Sequence, residues 1–282
     1  MKQFYQNKTT LELTPELIKL KEAIRNTKFL KISKSYTIDT AKKWIAERNV
    51  KLNKIPFIEM EKILKGCNEN NCSLNEVINI YKNYLNPINV PIIREDKKFD
   101  YGQFTPIYLD DQGNDLIFTE FRLSKFNTYI TPIVYLHEII HSIIENNKNS
   151  INDFIDYELC PIIFELLMAN DLDQGLYYLI LNSRLHSLES FIEILELGDT
   201  LGSYYASSYI KSILLATEFM KKYIKSSNNT QMEMFAYLQN ILDDNATAYS
   251  MLEKYDVSYN SALNKILKRG DVCNWKNNNW KK

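Results

Sequence analysis

Glycine and proline are scarce in this chain of 282 residues, with only seven of each. So few helix breakers over that length exclude a collagen-like or loop-dominated chain and point to a mainly helical protein. Charge of one sign is also missing. Lys and Arg total 34 against 35 Asp and Glu, a net charge of −1, so no basic surface for nucleic acid is expected. No segment approaches eighteen uninterrupted apolar residues, and the N-terminus has no apolar core of signal-peptide length. The expectation is a protein without a membrane span that works in the cytoplasm. The four cysteines (Cys67, Cys72, Cys160, Cys273) are scattered and form no CxxC pair. They read as thiols in a reducing compartment, with a Cys67–Cys72 bridge left open.

What is present is ordinary globular composition, 45% hydrophobic and 24% charged. The length permits one elongated domain or two. A helical N-terminal region over 1–91 is expected, then a catalytic region over 92–282, the two together forming one compact unit. Thr14-Pro15-Glu16 is a helix start, with a cap followed by Pro at the first helical position, and the run continues through Ile24. Apolar spacing predicts helices over 38–49 and 55–66, and Ser73 can cap another through Tyr84. Residues 92–103 read as irregular. Two β-type runs, Thr105–Leu109 and Leu116–Leu123, flank the turn-forming Asp-Asp-Gln-Gly-Asn-Asp and predict a hairpin. Such a hairpin can merely close the fold, or present an edge to an extended peptide. From Thr131 onward the pattern is helical, near 131–146, 151–169, 171–181, 183–197, 201–225, 231–242, 245–255 and 258–269. The tail from Asn274 is polar and loosely ordered by composition.

Against this background one short run stands out. His137-Glu138-Ile139-Ile140-His141 reads HExxH inside an apolar stretch, and it uses two of the only three histidines. Residues four apart share a helix face, so both imidazoles can point at one metal ion. Glu138 then sits beside the metal and can take a proton from a water there.

Two histidines do not complete a catalytic zinc site, which commonly takes three protein ligands. Candidates downstream are Glu145, Glu158, Glu165, His186 and several aspartates. Glu145 points along the motif's own helix. The segment Tyr157 to Ala169 is strongly apolar, yet it carries Glu158 and Glu165 seven apart, on one helix face. A carboxylate buried there is costly unless it is paired or bound to a cation. One as ligand and the other as its partner would account for both. An exposed acid or a cap is the plainer reading of Glu158, and a solvated helix histidine that of His186.

These residues resemble the oligoendopeptidase F and thimet oligopeptidase group of zinc metallopeptidases. That group has an HExxH helix and then a helix whose glutamate is the third ligand, with an acid seven positions on. Phe126-Asn127-Thr128 running into Leu136-His137-Glu138 is similar to its approach to the motif. The resemblance implies a gluzincin-type helical fold, one Zn(2+) per chain held by His137, His141 and Glu158, and Glu138 as general base. It makes Glu165 the acid that orients an imidazole by accepting its ring N–H. The run Leu201 to Tyr209 is similar to the group's tyrosine-rich helix. This implies Tyr205 as donor to the tetrahedral intermediate, with Tyr204 or Tyr209 second and able to bind substrate. The chain departs from the group in several ways. It is less than half the usual length, and Glu158 follows His141 by 17 positions, a shorter spacer. Isoleucines stand where the group has Gly and a further His.

The expected activity is hydrolysis of short unstructured peptides. Alternatives are an inactive or peptide-binding protein of the same fold, a zinc enzyme acting on non-peptide bonds, and a helical module with an accidental motif. Oligomeric state is not legible.

Overall fold

The computed structural model describes residues 10–25, 36–50, 58–59, 91–96, 103–109, 116–124, 131–147, 154–198 and 200–268. It is mainly helical. The chain divides into two compact units, Met1–Ser33 with Asn149–Lys282, and Lys34–Lys148. This is a different grouping from a division near residue 91.

Helix α1, Pro15–Arg25, belongs to the first unit, and the second opens with α2, Ile38–Glu47. Thr37 and Thr40 form a reciprocal capping box at the start of α2, satisfying backbone donors that the first turn leaves bare. Ala41, Trp44 and Ile45 give it one buried face. Four strands follow: β1 Ile58–Glu59, β2 Pro91–Asp96, β3 Gln103–Leu109 and β4 Leu116–Ser124. They form one sheet in the order β1-β2-β4-β3, with β2 parallel to both neighbours and β3 antiparallel to β4 from Gln103↔Arg122 to Leu109↔Leu116. Two sequence expectations are corrected here. Residues 91–96 are a strand rather than irregular, because Pro91 stands at the strand's first residue, where a missing N–H is tolerated. Ile58–Glu59, expected inside a helix over 55–66, pairs with Ile92–Ile93 instead. The helix expected from Ser73, the Cys67–Cys72 bridge and the tail lie outside the described residues. The motif helix α3, Thr131–Asn147, packs on α2, β3 and β4.

The first unit is all helical in its described residues. Its core is α4 (Phe154–Leu172), α5 (Gln174–Leu197) and α6 (Thr200–Lys225), each packed on the other two. Three shorter helices follow: α7 Asn228–Leu242, α8 Ala248–Lys254 and α9 Tyr259–Lys268. Helix α1 buries Leu17, Leu20 and Ile24 against α5 and α9, with Pro15 at the first position as the sequence predicts. Lys21, on that buried face, reaches Glu193 (3.2 Å) and Glu196 (2.7 Å), and Arg25 reaches Glu189 and Glu193. The sequence predicted two helices over 171–197. One continuous helix runs there, because Leu181-Asn182-Ser183 holds no Gly or Pro and Asn182 is itself buried. Gly198 ends α5 in the left-handed conformation, φ 71°, which a residue with a Cβ adopts at a cost. No described helix is long and apolar enough to cross a membrane.

Candidate metal centre

Helix α3 is apolar nearly all round. Ile133, Tyr135, Leu136, Ile139, Ile140, Ile143 and Ile144 are all buried, so the helix is enclosed rather than laid on a surface. His137, Glu138 and His141 are enclosed with them, at 6%, 5% and 4% exposure. The four-residue spacing brings the two rings to 4.5 Å between centroids, at 76° to one another, with Nε2 to Nε2 at 2.9 Å. A direct contact of that kind requires one ring to carry its proton on Nε2 while the other offers a lone pair. A tetrahedral cation about 2.0–2.1 Å from each nitrogen would set the two roughly 3.3 Å apart. The pair thus needs to open by only a few tenths of an ångström.

Helix α4 supplies the carboxylates. Every residue from Glu158 to Ala169 is buried, in a helix that also contains Pro161. A proline there removes the bond that the Tyr157 carbonyl would accept from position 161. Glu158 is 2% exposed, and Glu165, two turns further along, is fully enclosed. Arg184 of α5 grips both oxygens of Glu165, with Nε donating to Oε2 at 2.7 Å and Nη2 to Oε1. A planar guanidinium can make this forked contact and an ammonium cannot. Burial opposes the charge on Arg184, but the Glu165 carboxylate outweighs it and holds the guanidinium above its ordinary value.

Helix α6 brings Tyr209 near Glu158. Burial, then the Glu158 carboxylate and Tyr205, push the Tyr209 phenol well above its usual range. Tyr205 is 43% exposed, and its ring lies 4.6 Å from that of Tyr209. Tyr204 is half-buried.

One ring nitrogen from each of His137 and His141 and one carboxylate oxygen of Glu158 all lie within 4.8 Å of one another. Two imidazoles and a carboxylate are an N/O donor set able to hold a divalent transition-metal cation. Glu165 and His186 are not in that group. His186, on α5, is partly buried, which lowers its pKa below the usual histidine value against the pull of Glu189. Cys160 is a buried thiol. Sequence reasoning missed Arg184. Its only signal was an arginine, one of six in the chain, inside a helix of otherwise apolar pattern. Comparisons with family models, with curated proteins and with solved structures each returned no match.

Proposed function

We propose that this chain is a zinc-dependent metallopeptidase that hydrolyses peptide bonds in short, unstructured peptides. The ligands in this reading are His137, His141 and Glu158, one zinc per chain, in a helical gluzincin-type fold. The observation that carries it is the meeting of three buried donors, two of them from an HExxH helix, within 4.8 Å of one another.

Bound zinc supplies Lewis acidity, polarising a carbonyl oxygen and bringing the pKa of water from 15.7 to about 7. The remaining work belongs to the chain's own side chains. Glu138 accepts the proton of the attacking water and returns it to the leaving amine, a role for a carboxylate one residue from a ligand and shielded from solvent. Tyr205 donates its hydroxyl to the developing oxyanion, and removing such a donor typically costs about 3 kcal/mol. Glu165 is the acid this reading assigns to orienting an imidazole, although both of its oxygens are held by Arg184 and neither Nδ1 of the two histidines is hydrogen-bonded. Strand β3 is an edge of its sheet and packs beside the motif helix. An extended peptide backbone can add to such an edge.

The test is a quenched-fluorescence peptide library with and without a chelator. Cleavage that chelator abolishes and zinc restores is expected. Intact peptides in every pool, from a protein that holds zinc, would favour the non-catalytic or non-peptide readings instead.

A further inference from the structure

Helices α4 and α5 are joined through Asp173 alone, so they run antiparallel, and they pack on one another. The grip of Arg184 on Glu165 fixes their register. Glu158 lies seven residues before Glu165, and Phe191 lies seven residues after Arg184. Seven residues are two turns, about 10.5 Å of rise and a return to nearly the same helix face. On an antiparallel pair those two steps run the same way, so Phe191 stands level with Glu158. The side of α5 that meets α1 is a different one, carrying Glu189, Glu193 and Glu196.

Phe191 is one of three aromatic rings in mutual contact. It stacks on Tyr209 of α6 at 4.6 Å and 21°, and meets Tyr205 edge-on at 6.1 Å and 65°. Tyr205 in turn tilts against Tyr209 at 4.6 Å and 49°. The cluster is not closed over, since Phe191 and Tyr209 are half-buried and Tyr205 is exposed. It is also uncharged: no position three or four residues to either side of each ring holds Asp, Glu, Lys, Arg or His. A further ring or a large aliphatic side chain gains area and ring contacts on such a surface. A carboxylate or an ammonium would have to shed water there with no opposite charge at those positions to receive it.

We propose that Phe191, Tyr205 and Tyr209 form a recognition shelf that takes one aromatic or large aliphatic side chain of the peptide, with Phe191 as its specificity residue. This inference rests on the reading of the chain as a peptidase. It narrows the substrate class from short peptides in general to those with such a side chain near the cleaved bond. It also gives the ring of Tyr205 a use beside that of its hydroxyl.

The experiment takes a peptide that the zinc-loaded wild type cleaves and replaces the residues flanking the cleaved bond, one at a time, by Ala, Phe, Leu, Glu and Lys. Wild type should show one position at which Phe and Leu are preferred over Ala, Glu and Lys. The preference in kcat/KM should be roughly 10–200-fold, the discrimination that a hydrophobic pocket supplies. Phe191→Ala should flatten the preference at that position and at no other. Each preference is a ratio of rates from one preparation, so any loss of folded protein cancels. Phe191→Leu, which keeps apolar bulk, should lose part of the preference and serves where the alanine variant does not fold. A flat wild-type profile, a preference for Glu or Lys, or a preference that both variants leave intact would overturn the shelf and leave the peptidase standing. No cleavage of any peptide would overturn both.

Discussion

Glu138 and Glu158 are both buried carboxylates near two imidazoles, yet their proposed duties are opposite, and two isosteric changes separate them. Glu138→Gln removes the base and no ligand, so zinc content should stay at wild-type level while peptide hydrolysis falls by roughly 10²–10⁴-fold. Glu158→Gln removes a charged ligand, so metal retention should drop before any rate is measured; unchanged zinc content would point to another acid. Arg184 is a third residue with a defined effect. Arg184→Met takes away the guanidinium that grips both oxygens of the enclosed Glu165, and breaking a buried pair this way costs about 3–5 kcal/mol. Denaturant unfolding measures it. The histidine pair was legible because the helical repeat alone brings positions 137 and 141 together. Glu158 was legible through its misfit, an acid in an apolar helix. Arg184 and the nearness of Tyr209 to Glu158 were not, because they depend on how α5 and α6 pack against α4, and no local spacing encodes that.

At the level of elements, boundaries were readable where caps and breakers are local. Helix α1 begins at Pro15 as its cap sequence predicts, and α2 begins one residue after Thr37 of its capping box. Strand β2 was hidden because its partners are remote: it pairs with β4 from Pro91↔Thr119 onward, and parallel pairing leaves no adjacent turn signal. The end of α5 offers a clean test of backbone chemistry. Gly198 has φ 71°, and a Cβ added there meets nothing within 4 Å, so the cost of a side chain is conformational alone. Gly198→Ala should destabilise the protein by about 1 kcal/mol, read as a lower melting temperature. An unchanged melt would mean that the C-cap is not held in the left-handed conformation.

Over the whole molecule, pH and metal act on stability through groups far apart in sequence. Burial, and secondarily Glu16, raise the Tyr259 pKa from 10.0 to about 12. Folded Tyr259 therefore holds its proton more tightly than the unfolded chain does. Its contribution is whole below pH 10 and declines as pH rises toward about 12. His186 acts at the other end, since burial lowers its pKa. Its contribution is whole above the ordinary histidine value and fades as pH falls from there through the lowered folded value. Chemical denaturation across this range should show stability falling on both flanks. Zinc should add stability by mass action, about 2.7 kcal/mol at a hundred times its dissociation constant, which a melt with and without chelator reads directly.

The central claim is that two imidazoles and one carboxylate of this chain ligate a single zinc ion. X-ray absorption of the zinc-loaded protein examines that shell with the least intervening inference. The expected spectrum has two imidazole nitrogens at about 2.0–2.1 Å with oxygen completing the shell, and the carboxylate contribution is lost in Glu158→Gln. A shell containing sulfur, or fewer than two imidazoles, would contradict the account.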